Sequence, residues 1–325
     1  MSLSEMCKLF GYTRQGHWRH LKEHYREEID AAALLGEVRE IRKEMPRCGA
    51  RKMQVLLEDR GHRIGRDRLF ALLRSSGMLV QRRRYRVVTT YSKHWMRKYA
   101  NLVKDIVPAR PNQIWVSDIT YVEVAESGKK VFLYLSLVTD AYTHEIVGYA
   151  LHDTLDTDGP LKALHMALAE YGGDGLAGLI HHSDRGCQYC CQEYVNTLKS
   201  YGIRISMTDH GDPYENAVAE RVNGILKTEW LYHMHLTSRR MADETVRRIV
   251  RLYNNERPHL SIGMRTPAQA RTEAGPFDRL WKNYWALKHD TRRQPTGGEG
   301  CPRPPADGRV VAAALPCRAA AVPVS

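Results

Sequence analysis

Three kinds of chemical site are compatible with the stretch HHSDRGCQYCCQEY, residues 181–194. Its histidines and cysteines are side chains that zinc prefers as ligands. His182, Ser183 and Asp184 are the residue types of a nucleophilic triad. Asp184 alone could instead be one arm of a carboxylate metal site, and the spacing of the residues separates these alternatives.

The spacing disfavours both zinc and a triad. Cys187 and Cys190 form one Cys-x-x-Cys pair, but no second Cys or His pair follows at the usual distance. His181 and His182 are adjacent on a predicted strand, so their side chains point to opposite faces. The zinc-deaminase pattern is also missing. A triad needs side chains that converge from separate segments, whereas these candidates are consecutive. We therefore expect the cysteines to pack or to cap the following helix.

Acidic residues elsewhere in the chain favour the carboxylate site. Asp118 lies in a predicted strand, Asp184 ends a later one, and Glu220 lies on a long helix with 35 residues between it and Asp184. A mixed sheet would bring the three to one edge, where they repel one another unless cations neutralise them. Oxygen ligands without Cys or His favour Mg²⁺ or Mn²⁺ over zinc. The helix carries one polar stripe, formed by Asn216, Glu220, Asn223 and Lys227.

The elements that position these residues follow from hydrophobic periodicity. Alternating or largely apolar segments predict three antiparallel strands, after which helices and strands alternate. This order predicts an α/β fold built on a mixed sheet. The predicted strands are 113–124, 129–142, 144–151, 175–184 and 203–208, and the predicted helices are 159–172, the segment from the cysteines to about residue 201, and 216–234.

Upstream of the sheet the pattern is helical. A helix from residue 50 to about 60, a turn at 61–65 and a second helix at 66–76 have the length of a helix-turn-helix motif. Gly77 is placed to end the second helix. Arg63, Arg66 and Arg68 lie at or near its start, where a recognition helix presents side chains to the major groove of DNA.

The charge distribution supports a polyanion-binding module at this end of the chain. The whole sequence of 325 residues has a formal charge of +12. Residues 1–110 hold 25 Lys and Arg against 12 Asp and Glu, an excess of +13, so the remainder is nearly neutral. A basic connector at 81–111 contains Arg82, Arg83 and Arg84, which we also expect to contact DNA.

The composition excludes other classes of protein. No apolar run approaches the roughly 20 residues of a membrane span, so no membrane partner is expected. The N-terminus lacks the apolar core of a secretory signal. Seven cysteines in a long chain argue against a disulfide framework and for a reducing compartment. We expect a cytoplasmic protein that associates with the nucleoid when bound to DNA.

Four ordered motifs carry a family resemblance: WVSDITYV, HHSDRGCQY, YENAVAERVNGILKTEW and YNNERPHLSIGMRTPAQA. Together they resemble the integrase core of insertion-sequence transposases, the Asp-Asp-(35)-Glu enzymes of the third insertion-sequence family and relatives of retroviral integrases. The resemblance runs from about residue 5 to 285 and looks like that family's second reading frame. The chain departs from the family in YENA, in the residues after Glu220, and in CQYCC.

The resemblance implies a fold and a division of the chain. The fold is an RNase H-like mixed five-stranded sheet with flanking helices, preceded by a small all-α helix-turn-helix region. The Pro- and Gly-rich tail is expected to be disordered. The predicted parts are an N-terminal helical segment (1–30), the helix-turn-helix DNA-binding region (31–80), the basic linker (81–111), the catalytic core (112–275), a basic extension (276–293) and the tail (294–325).

The mechanism expected from this resemblance uses two Mg²⁺ or Mn²⁺ ions in each active site. Asp118 and Asp184 would contact metal, with Asp118 bridging, and Glu220 would complete the second site. Water would cut the DNA at the element's end, and the freed 3′-OH would then attack another strand. Asn216 and Lys227 would position the DNA end beside the metals, and His182 would support Asp184 or meet DNA.

The expected partners are the element's terminal inverted repeats and target DNA. The resemblance also implies a homo-multimer on paired ends and an upstream-frame protein, or a frameshift fusion with it. Two alternatives to a transposase stay open: an RNase H-like nuclease without strand transfer, and a catalytically silent DNA-binding regulator. Arg257, His259 and Thr266 are equally compatible with packing and with DNA contact.

Overall fold

The computed structural model describes residues 2–80, 96–104, 106–126, 128–172, 176–209, 216–273 and 276–277. These residues belong to one compact unit, Met1–Trp281. The predictions for Arg82, Arg83 and Arg84, and for residues 278–325, lie outside the described residues. Within the described ranges, no helix is both long and apolar enough to cross a lipid bilayer.

The N-terminal region is helical, as predicted. Its helices are α1 (Leu3–Leu9), α2 (Arg14–Glu44), α3 (Ala50–Asp59) and α4 (Arg66–Ser75). The long helix α2 runs without a break through residue 30, where the sequence suggested a boundary. Helix α4 ends where expected, because Gly77 adopts a φ of +66° and lets the Met78 N–H donate to the Leu73 carbonyl at 2.7 Å.

The sheet confirms the predicted α/β, RNase H-like fold. Its strands are β1 (Ile114–Glu126), β2 (Lys129–Asp140), β3 (Ile146–His152), β4 (Ile180–Ser183) and β5 (Arg204–Met207), in the order β3-β2-β1-β4-β5. Strands β1, β2 and β3 pair antiparallel, whereas β4 joins β1 and β5 in parallel. Strand β4 is shorter than predicted because Gly178, with a φ of +79°, forms a turn just before it.

Helices cover both faces of this sheet. They are α5 (Asp158–Tyr171), α6 (Cys187–Cys190), α7 (Gln192–Ser200), α8 (Ala217–Glu229), α9 (Arg239–Asn255) and α10 (Pro267–Thr272). Helix α5 lies so close to β3 that a Cβ on Gly148 would stand 2.1 Å from the Ala163 carbonyl oxygen. Helix α8 ends earlier than predicted, because Trp230 leaves the helical conformation and a 3₁₀ turn, Leu231–His233, follows.

One hydrophobic core joins the N-terminal helices to the sheet. Leu57 of α3 and Leu73 of α4 are fully buried in the same cluster as Leu135 of β2 and Val246 of α9. Trp230, also in this cluster, donates its indole N–H to the Glu44 carbonyl at the end of α2, at 2.7 Å. The helix-turn-helix region therefore shares one hydrophobic core with the sheet and with α8 and α9.

Candidate active site

Strand register brings two of the predicted carboxylates together. Ser117 of β1 and Ser183 of β4 are partners across a parallel pair, and each is followed by an aspartate. Asp118 and Asp184 therefore stand side by side on neighbouring strands, which are about 4.8 Å apart in a sheet. Asp184 is the first residue after β4, at the carboxyl end of that strand.

A tight turn fixes the Asp184 side chain. Its Oδ1 accepts a hydrogen bond from the Gly186 N–H at 2.9 Å. A Cβ on Gly186 would lie 3.0 Å from this same oxygen and 3.0 Å from Oε1 of Gln188. Glycine is thus the residue that lets the chain turn close beside the carboxylate.

The polar stripe of α8 faces β1. Asn223 donates from its side-chain amide to Asp118 Oδ2 at 2.7 Å, and Asn216 donates to the Ser117 carbonyl at 3.2 Å. The Lys227 ammonium lies 5.9 Å from the centre of the Tyr121 ring. Since Glu220 lies between these residues on the same stripe, α8 carries it on the side of the helix that faces Asp118.

The electrostatics of the site centre on Asp118. Burial raises the pKa of its carboxyl to about 7, and repulsion from Asp184 and Glu220 adds to that effect. Hydrogen bonds from Asn223 and from the Ile119 N–H oppose it only in part. Burial also raises the pKa of Glu220 and lowers that of Lys227. The site therefore favours protonation of Asp118 unless a cation compensates its charge.

The three predicted carboxylates are not all in ligand contact. Among the residues that the structure describes, no group of three His, Cys, Asp or Glu side chains is arranged to hold a metal ion. Glu220 is exposed on the first turn of α8, which begins at Ala217, shortly after residues 210–215 that lie outside the described part. The structure thus places Asp118 and Asp184 together and brings Glu220 near enough to raise the pKa of Asp118.

Comparisons with known proteins assign the chain to a family. Residues 108–213 and 201–267 match two models of the integrase core domain. The chain is 35% identical over 271 residues to a 31 kDa protein of insertion element IS600 from Shigella sonnei, covering 82% of this chain and 97% of that protein. It is 31% identical over 222 residues to the transposase for IS629 from the same organism, covering 68% of this chain and 73% of that protein.

The chain belongs to the insertion-sequence transposases. It is also 28% identical over 278 residues to transposase InsF for insertion sequence IS3A of Escherichia coli, covering 82% of this chain and 93% of that one. The expectation of a DNA transposase with an integrase core is confirmed, and such an enzyme is a polynucleotidyl transferase that acts on DNA.

Among solved structures, this transposase is similar to retroviral integrases. The simian T-cell lymphotropic virus intasome structure, which contains the PP2A regulatory subunit B56 gamma, has 18% identity and a TM-score of 0.44, and the match covers 73% of this chain and 75% of that chain. The HTLV-2 integrase catalytic core domain in complex with magnesium has 20% identity and a TM-score of 0.39, over 50% of this chain and 97% of that one.

The two histidines before Asp184 are structural in the transposase. His181 Nε2 lies 2.8 Å from the Ser117 hydroxyl and 2.9 Å from the Tyr194 hydroxyl. Burial lowers the pKa of His181 to about 3, so the ring is neutral and shares hydrogen bonds with these two hydroxyls. His182 is fully buried, with Nδ1 2.8 Å from the Ser206 hydroxyl. Neither ring can reach DNA from this position, which rules out that role for His182.

The cysteines after Asp184 mainly contribute to the packing of the interior. Cys190 is buried, and its Sγ lies 3.7 Å from the Met207 sulfur. Cys191 occupies the N-cap position of α7 but its side chain makes no capping hydrogen bond there. The cysteines among the described residues, Cys7, Cys48, Cys187, Cys190 and Cys191, form no disulfide.

The predicted DNA-binding arginines of the described region lie on the surface. Arg63, Arg66 and Arg68 are exposed around the start of α4, while Leu69 and Leu73 of that helix face the core. Arg66 Nε lies 2.9 Å from Oδ1 of its neighbour Asp67, and both side chains are largely exposed. The motif thus presents a basic, accessible face.

A buried ion network links the helix-turn-helix region to α8, and sequence reasoning missed it. Glu229, at the end of α8, accepts from Lys52 of α3 at 2.6 Å and from two nitrogens of Arg257 at 2.7 and 2.9 Å. Arg257 also lies 2.9 Å from His259 Nε2. Lys52 and Glu229 are 177 residues apart, so no local pattern could reveal their contact.

The last motif of the family resemblance therefore stabilises the fold. Arg257 and His259 are buried, and burial beside the cationic Arg257 holds the pKa of His259 well below its usual range. Thr266 caps α10 by accepting from the Gln269 N–H. Of the two roles left open for these three residues, the structure supports packing.

Proposed function

We propose that Asp118, Asp184 and Glu220 hold Mg²⁺ or Mn²⁺ and that this transposase cuts phosphodiester bonds at the ends of its element and joins the freed 3′-OH to target DNA. The observation that carries the proposal is the pairing of Asp118 with Asp184 on adjacent strands, together with the raised pKa of Asp118. Perturbed carboxylates of this kind mark sites where charge is compensated during function.

The chemistry of the donor set fits a hard divalent cation. Asp118 and Asp184 contribute only oxygen donors, which suit Mg²⁺ and Mn²⁺. Nearby, the side-chain oxygens of Asn216 and Asn223 are buried and have no hydrogen-bond partner among the described residues. We infer that Glu220 moves toward the aspartates when cation and DNA bind, completing a site for two ions.

Each residue of the site has a proposed task. Two bound ions would stabilise the attacking and leaving oxygens of the scissile phosphodiester. Asn223 holds the Asp118 carboxylate in one orientation through the 2.7 Å hydrogen bond. Lys227, part-buried near Asp118, supplies a positive charge for a DNA phosphate, and Asn216 positions the same DNA end.

The proposed partners are the terminal inverted repeats of the element and target DNA. We propose that the basic face around α4 holds the terminal repeat while the sheet edge holds the scissile phosphate. We also propose that the transposase works as a multimer on paired ends, in the bacterial cytoplasm, with an upstream-frame protein or fused to it.

A strand-transfer assay tests this function. The purified full chain is mixed with Mg²⁺ or Mn²⁺, a labelled duplex that carries the element's terminus, and target plasmid. Nicked ends followed by joined product support the proposal. Nicked ends without joined product support a nuclease, and binding of the terminal duplex without nicking supports a silent regulator.

The effect of Mg²⁺ on stability is expected to depend on pH. Because the pKa of Asp118 is about 7, instead of its ordinary 3.8, the stability that this carboxyl contributes falls as pH rises through that range. Mg²⁺ must displace the proton below about pH 7 and finds an ionised ligand above it. The Mg²⁺-induced rise in Tm should therefore be larger at about pH 8 than at about pH 6.

Thermal unfolding with and without Mg²⁺ checks this prediction. Asp118→Asn should remove the pH dependence of the Mg²⁺ effect, whereas Glu193→Gln, an exposed carboxylate on α7, should keep it. An equal Mg²⁺ shift at both pH values in the unmodified chain would contradict the prediction.

Replacing Arg63 and Arg68 by Ala should weaken binding of the terminal duplex and reduce its salt dependence. Each phosphate contact that is lost lowers the slope of log K against log salt by about 0.9. A filter-binding or anisotropy titration at several salt concentrations measures the slope. Arg240→Ala is the matched control, since this arginine is highly exposed on α9. An unchanged slope for the Arg63/Arg68 variant would exclude these residues from the interface.

A further inference from the structure

Helix α2 carries two apolar stripes on opposite faces. In its second half Leu34, Val38, Ile41 and Met45 pack into the core. In its first half a second set points the other way, since about 100° per residue puts the two stripes roughly 180° apart. This second set, which we call the outer stripe, consists of Trp18, Leu21, Tyr25 and Ile29.

The outer stripe is open to solvent. Its residues have exposed fractions of 53% for Trp18, 49% for Leu21, 65% for Tyr25 and 52% for Ile29. All four lie within an arc of about 80°, the width of one helix–helix contact. A contiguous apolar strip of this kind, with two aromatic residues, marks an interaction surface.

The formal charge changes sign along the first half of α2, and Arg14, Lys22 and Glu28 are the charged residues nearest the outer stripe at about 100° per residue. Residues 13–22 contain three basic and no acidic residues, whereas residues 23–30 contain one basic and four acidic residues. The first segment thus has a formal charge of +3 and the second −3. The boundary between them falls near the middle of the stripe, between Leu21 and Tyr25.

This polarity is self-complementary in one orientation only. If two copies of α2 lie antiparallel across the stripe, the basic segment of each faces the acidic segment of the other. Trp18 of one copy then lies level with Ile29 of the second, and Leu21 with Tyr25. A parallel pair would instead align like charges, which repel.

We infer that the outer stripe is an interface with a second copy of this chain, formed by antiparallel pairing of α2 about a two-fold axis near residues 21–25. Such an isologous contact closes on itself and makes a dimer. The eight side chains, four from each copy, would bury roughly 800 Å² in total at about 100 Å² each. The flanking charged stems add to this, toward the ~1,200 Å² of a small specific interface.

The mass of the full chain in solution tests this inference. Sedimentation equilibrium over a wide concentration range should show a reversible equilibrium between monomer and dimer. Trp18→Ala with Tyr25→Ala should weaken that step by at least about 30-fold, because aromatic anchors dominate such interfaces. Tyr201→Ala, which removes an exposed aromatic side chain elsewhere, should leave it unchanged, and far-UV circular dichroism should show that α2 remains helical.

Charge-block variants test the orientation. Arg14 and Lys22 changed to Glu, or Glu28 changed to Lys, should each weaken the dimer about 3-fold or more in low salt. Combining both sets of charge reversals in one chain should restore the dimer, because the antiparallel pair is again complementary. A parallel pair would show no such restoration.

Two results would overturn the inference. The first is that the chain does not dimerise, or that it dimerises equally well when Trp18 and Tyr25 are replaced. The second is protection of the outer stripe from solvent labelling in a monomer, which would mean that another segment of the same chain covers it.

Discussion

Asp184→Asn is expected to lower the rate of cleavage at the element's end by about 10³-fold or more, because bound cations contribute several kcal/mol and each 1.36 kcal/mol is tenfold in rate. The amide oxygen can still accept the hydrogen bond from the Gly186 N–H, so the turn after β4 should survive. What is lost is the negative charge beside Asp118. Glu220→Gln should have an effect of the same order, since Glu220 is proposed to complete the site.

Single-turnover cleavage of the labelled terminal duplex, with binding measured separately, checks this prediction. Terminal-DNA affinity should stay close to that of the unmodified chain, because the arginines around α4 are unaltered. Glu193→Gln provides the control for loss of an exposed carboxylate. If either active-site variant cleaves at the normal rate, the carboxylate mechanism is wrong for this transposase.

Glu229→Ala is expected to destabilise the fold by about 3–5 kcal/mol, since it leaves the buried charges of Lys52 and Arg257 without their partner. Both cations lie within 2.7 Å of the same carboxylate oxygen. The network joins α3, α8 and the segment after α9, so its loss should loosen the helix-turn-helix region and α8 together. Chemical unfolding should remain one transition with a lower midpoint.

The exposed pair Glu123–Lys130 is a matched control. Its charges lie 2.7 Å apart but are more than half exposed, so Glu123→Ala should cost at most about 1 kcal/mol. The prediction would be contradicted if Glu229→Ala lowered the free energy of unfolding by no more than this, or if the N-terminal helices unfolded separately.

The contribution of Glu229 to stability should also depend on pH. Burial alone would raise its pKa, but Arg257 and Lys52 outweigh it and lower the pKa from 4.5 to about 2. A depressed pKa means that the stabilisation is complete above about pH 4.5 and is lost as the pH falls toward about 2. The difference in unfolding free energy between the unmodified chain and Glu229→Gln should therefore shrink across this interval.

The network has a consequence for catalysis. Glu229 lies on the same helix as Glu220 and Lys227, and Trp230 next to it is hydrogen-bonded to the end of α2. The helices that present the basic face therefore also hold the helix that carries a proposed metal ligand. If α4 binds a DNA end as proposed, packed side chains would connect that binding to the placement of α8.

The chain's local patterns determined much of the fold and the candidate site. Strand alternation predicted the sheet, and the positions of Asp118 within one strand, Asp184 at the end of another and Glu220 on a helix predicted their approach. This worked because the alternation of apolar and polar side chains along a strand is a local property of the sequence. The prediction that these carboxylates bind metal remains a prediction.

Only the tertiary structure decided which residues surround those carboxylates. Asn223 could be placed on the polar stripe of α8, but its hydrogen bond to Asp118 depends on how α8 rests against β1. The roles of His181 and His182 likewise depend on Ser117 and Ser206, which come from other strands. Sequence spacing cannot separate a buried histidine from an accessible one.

The docking of the N-terminal helices is the other feature that the sequence alone did not determine. The sequence pattern predicted the two helices of the helix-turn-helix region, but not that Leu57 and Leu73 share a buried cluster with Trp230. It also did not reveal that α2 is continuous through residue 30 and leaves its outer stripe exposed. The physical reason is that an amphipathic helix specifies which face it buries, whereas its partner is chosen by contacts between segments far apart in the chain.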